Sequence, residues 1–116
     1  MHLNRRTFLK TTTAVGGGLM IGGYFAEVAR PISLGKPSDE LLSAFEKVKA
    51  AQDYSTSLMK PGADCREIFA AYNDYMKSHG LPVEGRIHSH AQGYDIGQRP
   101  LFRFDEPMKL EPDMFF

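Results

Sequence analysis

The sequence predicts an α+β domain in which two helices come before a few short strands. Apolar residues recur at helical spacing over residues 39–59 and again over residues 64–79. Residues 83–90 favour a strand, and prolines at 100, 107 and 112 allow only loops and short extended pieces after residue 92. With 116 residues, of which 42% are apolar, the chain can form one small domain.

Charge and cysteine content exclude several classes of protein. The 14 basic and 14 acidic side chains balance, so neither nucleic acid nor an anionic membrane surface is expected as the main partner. Cys65 is the single cysteine, which excludes an internal disulfide and a Cys-x-x-Cys site. We expect Cys65 to be a small buried or half-buried side chain on a helix.

Residues 1–29 have the layout of a targeting peptide, with a basic stretch followed by an uncharged, glycine-rich apolar run from Thr11 to Ala26. The basic stretch resembles the twin-arginine export signal, with Asn4 in place of the usual leading Ser or Thr. The residues that match the signal are Arg5, Arg6, Phe8, Leu9 and Lys10. Five glycines in this segment disfavour the alternative, an amphipathic soluble helix.

This resemblance implies that the twin-arginine translocase is a partner and that the protein is exported. No good small-x-small pair stands near the end of the apolar run, so the leader is either cut inefficiently or kept as an anchor. The expected location is therefore the periplasm, or the membrane surface if the leader is uncleaved. Residues 30–37 follow as a linker.

The first helix is predicted from Asp39 to Met59, with Ser38 as its N-cap. The turn at Lys60-Pro61-Gly62 ends it. Its apolar stripe consists of Leu41, Phe45, Val48, Ala51 and Leu58.

The second helix is predicted to begin after Asp64, which forms a capping box with Glu67, and to end near His79, before Gly80. Its buried side consists of Ile68, Ala71, Tyr72, Tyr75 and Met76. We expect the two apolar stripes to pack together and to leave some apolar surface uncovered, which favours self-association.

Residues 86–100 contain the candidate site, because imidazoles, a glycine and a carboxylate converge there. His88 and His90 are two residues apart, so on an extended segment their side chains share one face. Histidine is the commonest metal ligand, and Asp95 adds a carboxylate nearby. The alternative, in which the histidines are only hydrogen-bonded structure, stays open.

The order of motifs from Pro37 to Phe116 resembles peptidase family M24, the "pita-bread" fold of methionine aminopeptidases, proline aminopeptidases, prolidases and creatinase. His90, Gly93 and Pro100 coincide with the family pattern His-Gly-x-Gly followed by Pro. The other matching motifs are Met59-Lys60-Pro61-Gly62, Arg66-Glu67-Ile68, Ser78-His79-Gly80 and Leu110-Glu111-Pro112-Asp113-Met114-Phe115. The resemblance implies an incomplete pita-bread domain over residues 38–116.

By resemblance, His90 is the position of a metal ligand, the metal is Mn²⁺, Co²⁺ or Zn²⁺, and the activity is exopeptidase cleavage of N-terminal or Xaa-Pro bonds. The sequence departs from the family at Gly97, where a second histidine is frequent, and at Gln98, where Glu is common. The family also uses two aspartates before the long helix and two glutamates near the end of the domain. Upstream of Ser38 there is no aspartate, and Glu111 occupies a turn position.

Of the metal ligands that the family resemblance implies, His90 therefore remains. His88 and Asp95 are weaker candidates for additional ligands. The sequence predicts an M24-like protein, truncated and inactive by itself, that would need completion before it could take a peptide substrate. One alternative is an exported, non-enzymatic binding or remnant protein. Another is a molybdenum-hydroxylase-type oxidoreductase, which the leader suggests but for which residues 38–116 offer no cofactor motif.

Overall fold

The structure is a computed structural model that describes residues 19–21, 23–27 and 31–116. Its elements in chain order are β1 (Leu19–Ile21), β2 (Tyr24–Ala26), α1 (Asp39–Leu58), α2 (Cys65–Ser78), β3 (His90–Ala91) and β4 (Gln98–Leu101). β1 pairs with β2 and β3 pairs with β4, both antiparallel. The predicted α+β class, with two helices and a few strands, is confirmed. Within the described residues, neither helix combines the length and the apolar character that a membrane crossing requires.

Most of the predicted leader lies outside the described residues, including the five that match the export signal, Arg5, Arg6, Phe8, Leu9 and Lys10. The part that is described forms the β1–β2 hairpin, which turns at Gly23 with a φ of 89°. The backbone N–H of Phe25 donates to the carbonyl of Gly93 at 2.7 Å. The end of the apolar run therefore lies against the region that contains His90, and the export signal stays a prediction.

Helix α1 begins where the sequence predicts and ends one residue earlier, at Leu58, with Met59 as its C-cap. The hydroxyl of Ser38 accepts a hydrogen bond from the backbone N–H of Leu41 at 3.2 Å, which satisfies one of the free donors of the first turn. At the other end, the backbone N–H of Met59 donates to the Thr56 carbonyl at 3.1 Å, and Gly62 adopts a φ of 90° in the turn that follows.

The predicted apolar stripe of α1 is wrong for its first three members. About half of each side chain is exposed for Leu41 (54%), Phe45 (48%) and Val48 (48%). The buried residues of α1 are instead the small Ala51 and Ser55. Ala51 packs with Tyr72 and Met76 of α2, so the buried residues of α1 lie in its C-terminal half. The N-terminal half has the expected periodicity, but no described element covers it.

Helix α2 is capped by Asp64, although the capping partner differs from the prediction. The Asp64 carboxylate accepts the backbone N–H of Arg66 at 2.9 Å and two bonds from the Arg66 guanidinium at 3.1 and 2.8 Å. These bonds, the side-chain ones first, lower the pKa of Asp64 to about 2. The Asp64 carboxylate therefore accepts the N–H of Arg66 where a capping box would have it accept that of Glu67.

The C-terminal end of α2 is a Schellman motif. Gly80 adopts a φ of 67° and donates to the Lys77 carbonyl at 3.1 Å. Leu81 donates to the Met76 carbonyl at 2.9 Å and its side chain packs near Met76. The predicted stop at Gly80 is confirmed, because the left-handed conformation there favours glycine.

The core forms where the last third of the chain covers α2. One cluster joins Cys65 and Ile68 of α2 to Phe102 and Leu110, with Met114 and Phe116 packed against it. The burial of Ile68, Tyr72 and Met76 confirms the predicted face, to which Phe69 must be added, while Ala71 and Tyr75 are half-buried. Cys65 is fully buried as expected, and burial raises the pKa of its thiol to about 11.

The strand predicted over residues 83–90 is wrong except at its last residue. The side-chain amide of Asn73 donates to the Glu84 carbonyl at 3.1 Å and accepts the Glu84 N–H at 2.8 Å. These bonds tie the backbone to α2 where the prediction has a strand ladder, and the chain bends at Gly85 and Arg86. Pairing begins only at His88, whose N–H donates to the Phe102 carbonyl at 3.0 Å.

Candidate functional site

His88 is held by contacts to both helices. Its Nε2 lies 2.6 Å from the hydroxyl oxygen of Ser55, and its ring stacks on Tyr72 with centroids 3.7 Å apart. The Ser55 hydroxyl donates to the Gln52 carbonyl at 3.1 Å, which assigns the proton of the Ser55–His88 bond to Nε2. Burial lowers the pKa of His88, so the neutral ring is favoured. Sequence reasoning alone could not choose between metal binding and this hydrogen-bonded arrangement.

His90 lies on β3, opposite Leu101 of β4, and is half-buried. Its Nδ1 is 3.2 Å from the carbonyl oxygen of Ala91, which can only accept, so Nδ1 carries the proton. In the neutral ring this leaves the lone pair on Nε2, the form that a metal ligand requires. A Cβ at Gly97 would lie 3.9 Å from Nδ1, so the frequent family histidine at position 97 would contact His90.

Asp95 is exposed in the loop between β3 and β4. Its carboxylate accepts the backbone N–H of Ile96 at 2.8 Å, and its carbonyl accepts the Gly93 N–H at 3.3 Å. No group of three His, Cys, Asp or Glu side chains in the described part of the chain could hold a metal ion. Because a protein metal site needs about three or four ligands, the described donors do not fit a divalent ion. The assignment of His90, with His88 and Asp95, stays a prediction.

Gly93 is buried, and a side chain there would require the flexible side chain of Gln98 to move. A Cβ at Gly93 would lie 2.9 Å from the Nε2 of Gln98 and 3.1 Å from its Oε1. The sequence predicted a glycine here so that the backbone could approach a metal and a substrate. In the structure the approaching group is the carboxamide of Gln98, the residue that replaces the family's common Glu.

Glu106 is a central residue that sequence reasoning missed. Its side chain is buried, with the residue only 2% exposed, and it accepts bonds from Arg99 at 3.0 and 2.6 Å. It also accepts the backbone N–H groups of Leu101 at 3.0 Å and Met108 at 3.1 Å. The bonds from Arg99 first, and then those from the backbone, lower the pKa of Glu106 to about 2.

This ion pair positions the strand next to the candidate site. Leu101, which donates to Glu106, is the cross-strand partner of His90. The sequence offers no signal for this role, because Glu106 stands between Asp105 and Pro107 in a charged loop of the kind that is usually exposed.

Comparison with known proteins gives one family. The profile of Metallopeptidase family M24 matches residues 11–116, a range that begins inside the predicted leader. The uncharacterized peptidase YqhT of Bacillus subtilis is 28% identical over 98 residues, which are 84% of this chain and 28% of that protein. The probable dipeptidase PepE of Mycobacterium tuberculosis is 26% identical over 102 residues, which are 86% of this chain and 27% of that protein.

Solved structures agree on the fold. The X-Pro aminopeptidase of Thermotoga maritima superposes with a TM-score of 0.74 and 23% identity, over 81% of this chain and 27% of that one. The prolidase of Pyrococcus furiosus gives a TM-score of 0.73 and 25% identity, over 84% and 29%. The predicted likeness to the pita-bread fold is confirmed, and the chain spans less than a third of the length of each relative. Because the family profile covers most of the sequence, this chain belongs to metallopeptidase family M24.

Proposed function

We propose that this chain is the His90-bearing part of a metal-dependent exopeptidase that cleaves N-terminal or Xaa-Pro peptide bonds. The observation that carries the proposal is the family match over residues 11–116, within which His90, Gly93 and Pro100 keep the family spacing. The names X-Pro aminopeptidase and prolidase on the two superposed structures support this substrate class. The family match does not favour the non-enzymatic alternative.

The second part of the proposal concerns the full chain by itself. In such a hydrolase the divalent metal would supply an activated water. His90 offers a lone pair on Nε2, but the described residues provide no group of three donors around it. The sequence has a single acidic residue before Asp39, which is Glu27. We therefore propose that the chain does not hydrolyse peptides until further carboxylates are supplied.

A chimera tests the substrate class. Residues 38–116 would replace the matching region of the Pyrococcus furiosus prolidase, which supplies the rest of the domain. We expect cleavage of an Xaa-Pro dipeptide with Mn²⁺ or Co²⁺, followed by mass spectrometry, and loss of cleavage in the His90→Ala chimera. A folded chimera that cleaves no Xaa-Pro or N-terminal-Met peptide would contradict the proposed function.

The full chain tests the second part. Incubated with the same peptides and metals, it should release no product above buffer. Turnover that disappears in His90→Ala would support the exopeptidase assignment. It would also show that the chain has more metal ligands than those identified above.

We also propose that the protein is exported with its leader retained. The residues from Arg5 to Lys10 support export. The bonds from Phe25 to Gly93 at 2.7 Å and from the Glu27 N–H to the Gln92 side chain at 3.1 Å favour retention, because cleavage at residue 29 would remove both. Changing both Arg5 and Arg6 to lysine should leave a fused reporter in the cytoplasm, and unchanged export would refute this proposal.

A further inference from the structure

A cavity of about 510 Å³ lies where the β1–β2 hairpin meets β3 and β4. Ala91, the residue after His90, is in its lining, whereas His90 is not among the described residues that line it. Gly93 and Pro100 of the family pattern are in its lining, but the pattern assigns no role to the aromatic residues that line it. Aromatic and apolar side chains dominate its lining, among them Phe25 and Phe115. Such a surface suits an apolar side chain better than a charged one.

Two exposed tyrosines are in the lining of the cavity. Tyr24 is 54% exposed and Tyr94 is 74% exposed. Their ring centroids are 4.7 Å apart with the planes tilted by 31°, and the Tyr24 hydroxyl donates to the Tyr94 hydroxyl at 3.0 Å. The hydrogen bond between Phe25 and Gly93 ties their neighbouring residues together. The rings thus form an oriented aromatic platform in contact with water, which can stack on another ring at little cost in conformational entropy.

The polar groups of the lining are mostly without net charge. Gln92 accepts the backbone N–H of Glu27 at 3.1 Å, and Gln98 packs on Gly93. The guanidinium of Arg99 is paired with the buried Glu106 at 2.6 Å, so its charge is compensated. The two carboxamides can donate to and accept from peptide amides, and the guanidinium can donate to them. Among the described lining residues, Asp113 is the one carboxylate.

We propose that this cavity is a subsite for an aromatic or large aliphatic side chain of a peptide, stacked on Tyr94 and Tyr24. The proposal relies on the proposed function only for the class of ligand, since the platform and the cavity are features of the described residues themselves. It places a peptide side chain one residue along the strand from His90.

Binding is tested by an NMR titration of the ¹⁵N-labelled full chain with N-acetyl-phenylalanine methylamide. We expect shifts of the Gly93, Tyr94 and Gln98 amides, with affinity at least about 5-fold tighter than for the alanine analogue. A lysine analogue controls for attraction to Asp113. Equal affinity for the three ligands, or shifts confined to α1, would overturn the proposal.

Substitutions of tyrosine test whether the ligand binds at the Tyr24–Tyr94 platform. Tyr94→Ala should weaken binding of the phenylalanine ligand by about 3- to 10-fold, whereas Tyr94→Phe keeps the ring and should change it less than about 2-fold. The matched control is Tyr54→Ala, which removes another partly exposed tyrosine, stacked on Tyr75 at 4.9 Å and outside the cavity lining. If Tyr54→Ala and Tyr94→Ala give the same affinity, the platform is not the binding site.

The two proposals can fail separately. Ligand binding at the platform without cleavage by the chimera would support the subsite and contradict the peptidase function. Cleavage by the chimera, together with equal affinity of the full chain for the three ligands and no effect of Tyr94→Ala on that affinity, would support the function and overturn the subsite.

Discussion

Both helices have apolar residues at helical spacing, but the rest of the chain covers their apolar faces to different extents. On α2 the apolar face lies under residues from the last third of the chain, and Cys65 and Ile68 are buried there. On α1 the residues Phe45 and Val48 stay about half exposed. Periodicity therefore predicts which face of a helix is apolar, whereas burial of that face depends on elements that are distant in sequence.

The cover of α2 is held by backbone pairing at its N-terminal end. Gly62 donates to the Leu110 carbonyl at 2.7 Å, and Leu110 donates back to the Ala63 carbonyl at 2.8 Å. Cys65 donates to the Met108 carbonyl at 3.3 Å. Within the described residues, the N-terminal half of α1 has no equivalent attachment, so we expect mutations to cost much more stability under α2 than on α1.

The largest effect is expected at Phe102, the largest fully buried side chain described. Its ring meets Phe116 edge to face with centroids 5.1 Å apart. Phe102→Ala should lower the free energy of unfolding by about 3 to 5 kcal/mol in urea titrations, because it leaves a cavity under α2. Phe104→Ala, at a residue that is 67% exposed, is the matched control and should cost less than about 0.5 kcal/mol. Equal losses would mean that the core is assigned wrongly.

A second effect is expected at Glu106, which fixes the loop that covers α2. Its pKa is about 2 in the folded chain, against an ordinary value of 4.5. The lowered pKa stabilises the fold fully above about pH 4.5, and this contribution is lost as the pH falls towards 2. We expect about 1 to 3 kcal/mol to disappear over this range in denaturant titrations at stepped pH.

Glu106→Gln keeps the shape of the side chain but has no charge to titrate. Its unfolding free energy should be lower at neutral pH and should change less between pH 4.5 and 2 than that of the unmodified chain. The pH dependence of Asp64, whose pKa is also about 2, remains in both proteins and serves as an internal reference. Parallel pH profiles for the two proteins would contradict the assigned role of Glu106.

An effect of similar size is expected from removal of the β1–β2 hairpin. A chain that begins at Pro31 loses the bonds to Gly93 and to the Gln92 side chain, at 2.7 and 3.1 Å. Each such bond contributes about 1 kcal/mol, so unfolding should become easier by about 1 to 3 kcal/mol. Hydrogen exchange should rise at Gln92 and Gly93 and stay unchanged within α2. No change at these amides would favour a leader that is cleaved without consequence for the domain.

The features that local rules control could be predicted from the sequence. Ser38, Asp64 and Gly80 mark the ends of the helices because their side chains or backbone conformations satisfy terminal backbone groups. Local rules predicted a strand before His90 that is absent from the described part of the chain. They take no account of contacts between elements, such as the hydrogen bonds of Asn73 on α2 to the backbone of Glu84.

The candidate site was predictable only in part, for the same reason. His90 was found through spacing shared with a family, whereas the pairing of Arg99 with the buried Glu106 depends on how a loop folds back. The cavity beside His90 depends on Tyr24, a residue that the sequence placed in a leader. Contacts between distant segments have no signature in a single sequence.

The smallest effect on the folded chain is expected at Phe45, and it separates the two explanations of the exposed face of α1. If the face is simply hydrated, Phe45→Ala should cost less than about 1 kcal/mol, far below the 3 to 5 kcal/mol of a core phenylalanine, because half of the ring already contacts water. If the face pairs with a second copy, as the sequence suggested, the loss should grow with protein concentration, since association stabilises the folded state by mass action. Sedimentation of the unmodified chain and of Phe45→Glu distinguishes the cases: we propose that only the unmodified chain self-associates, and identical concentration-independent profiles would exclude the face as an interface between copies.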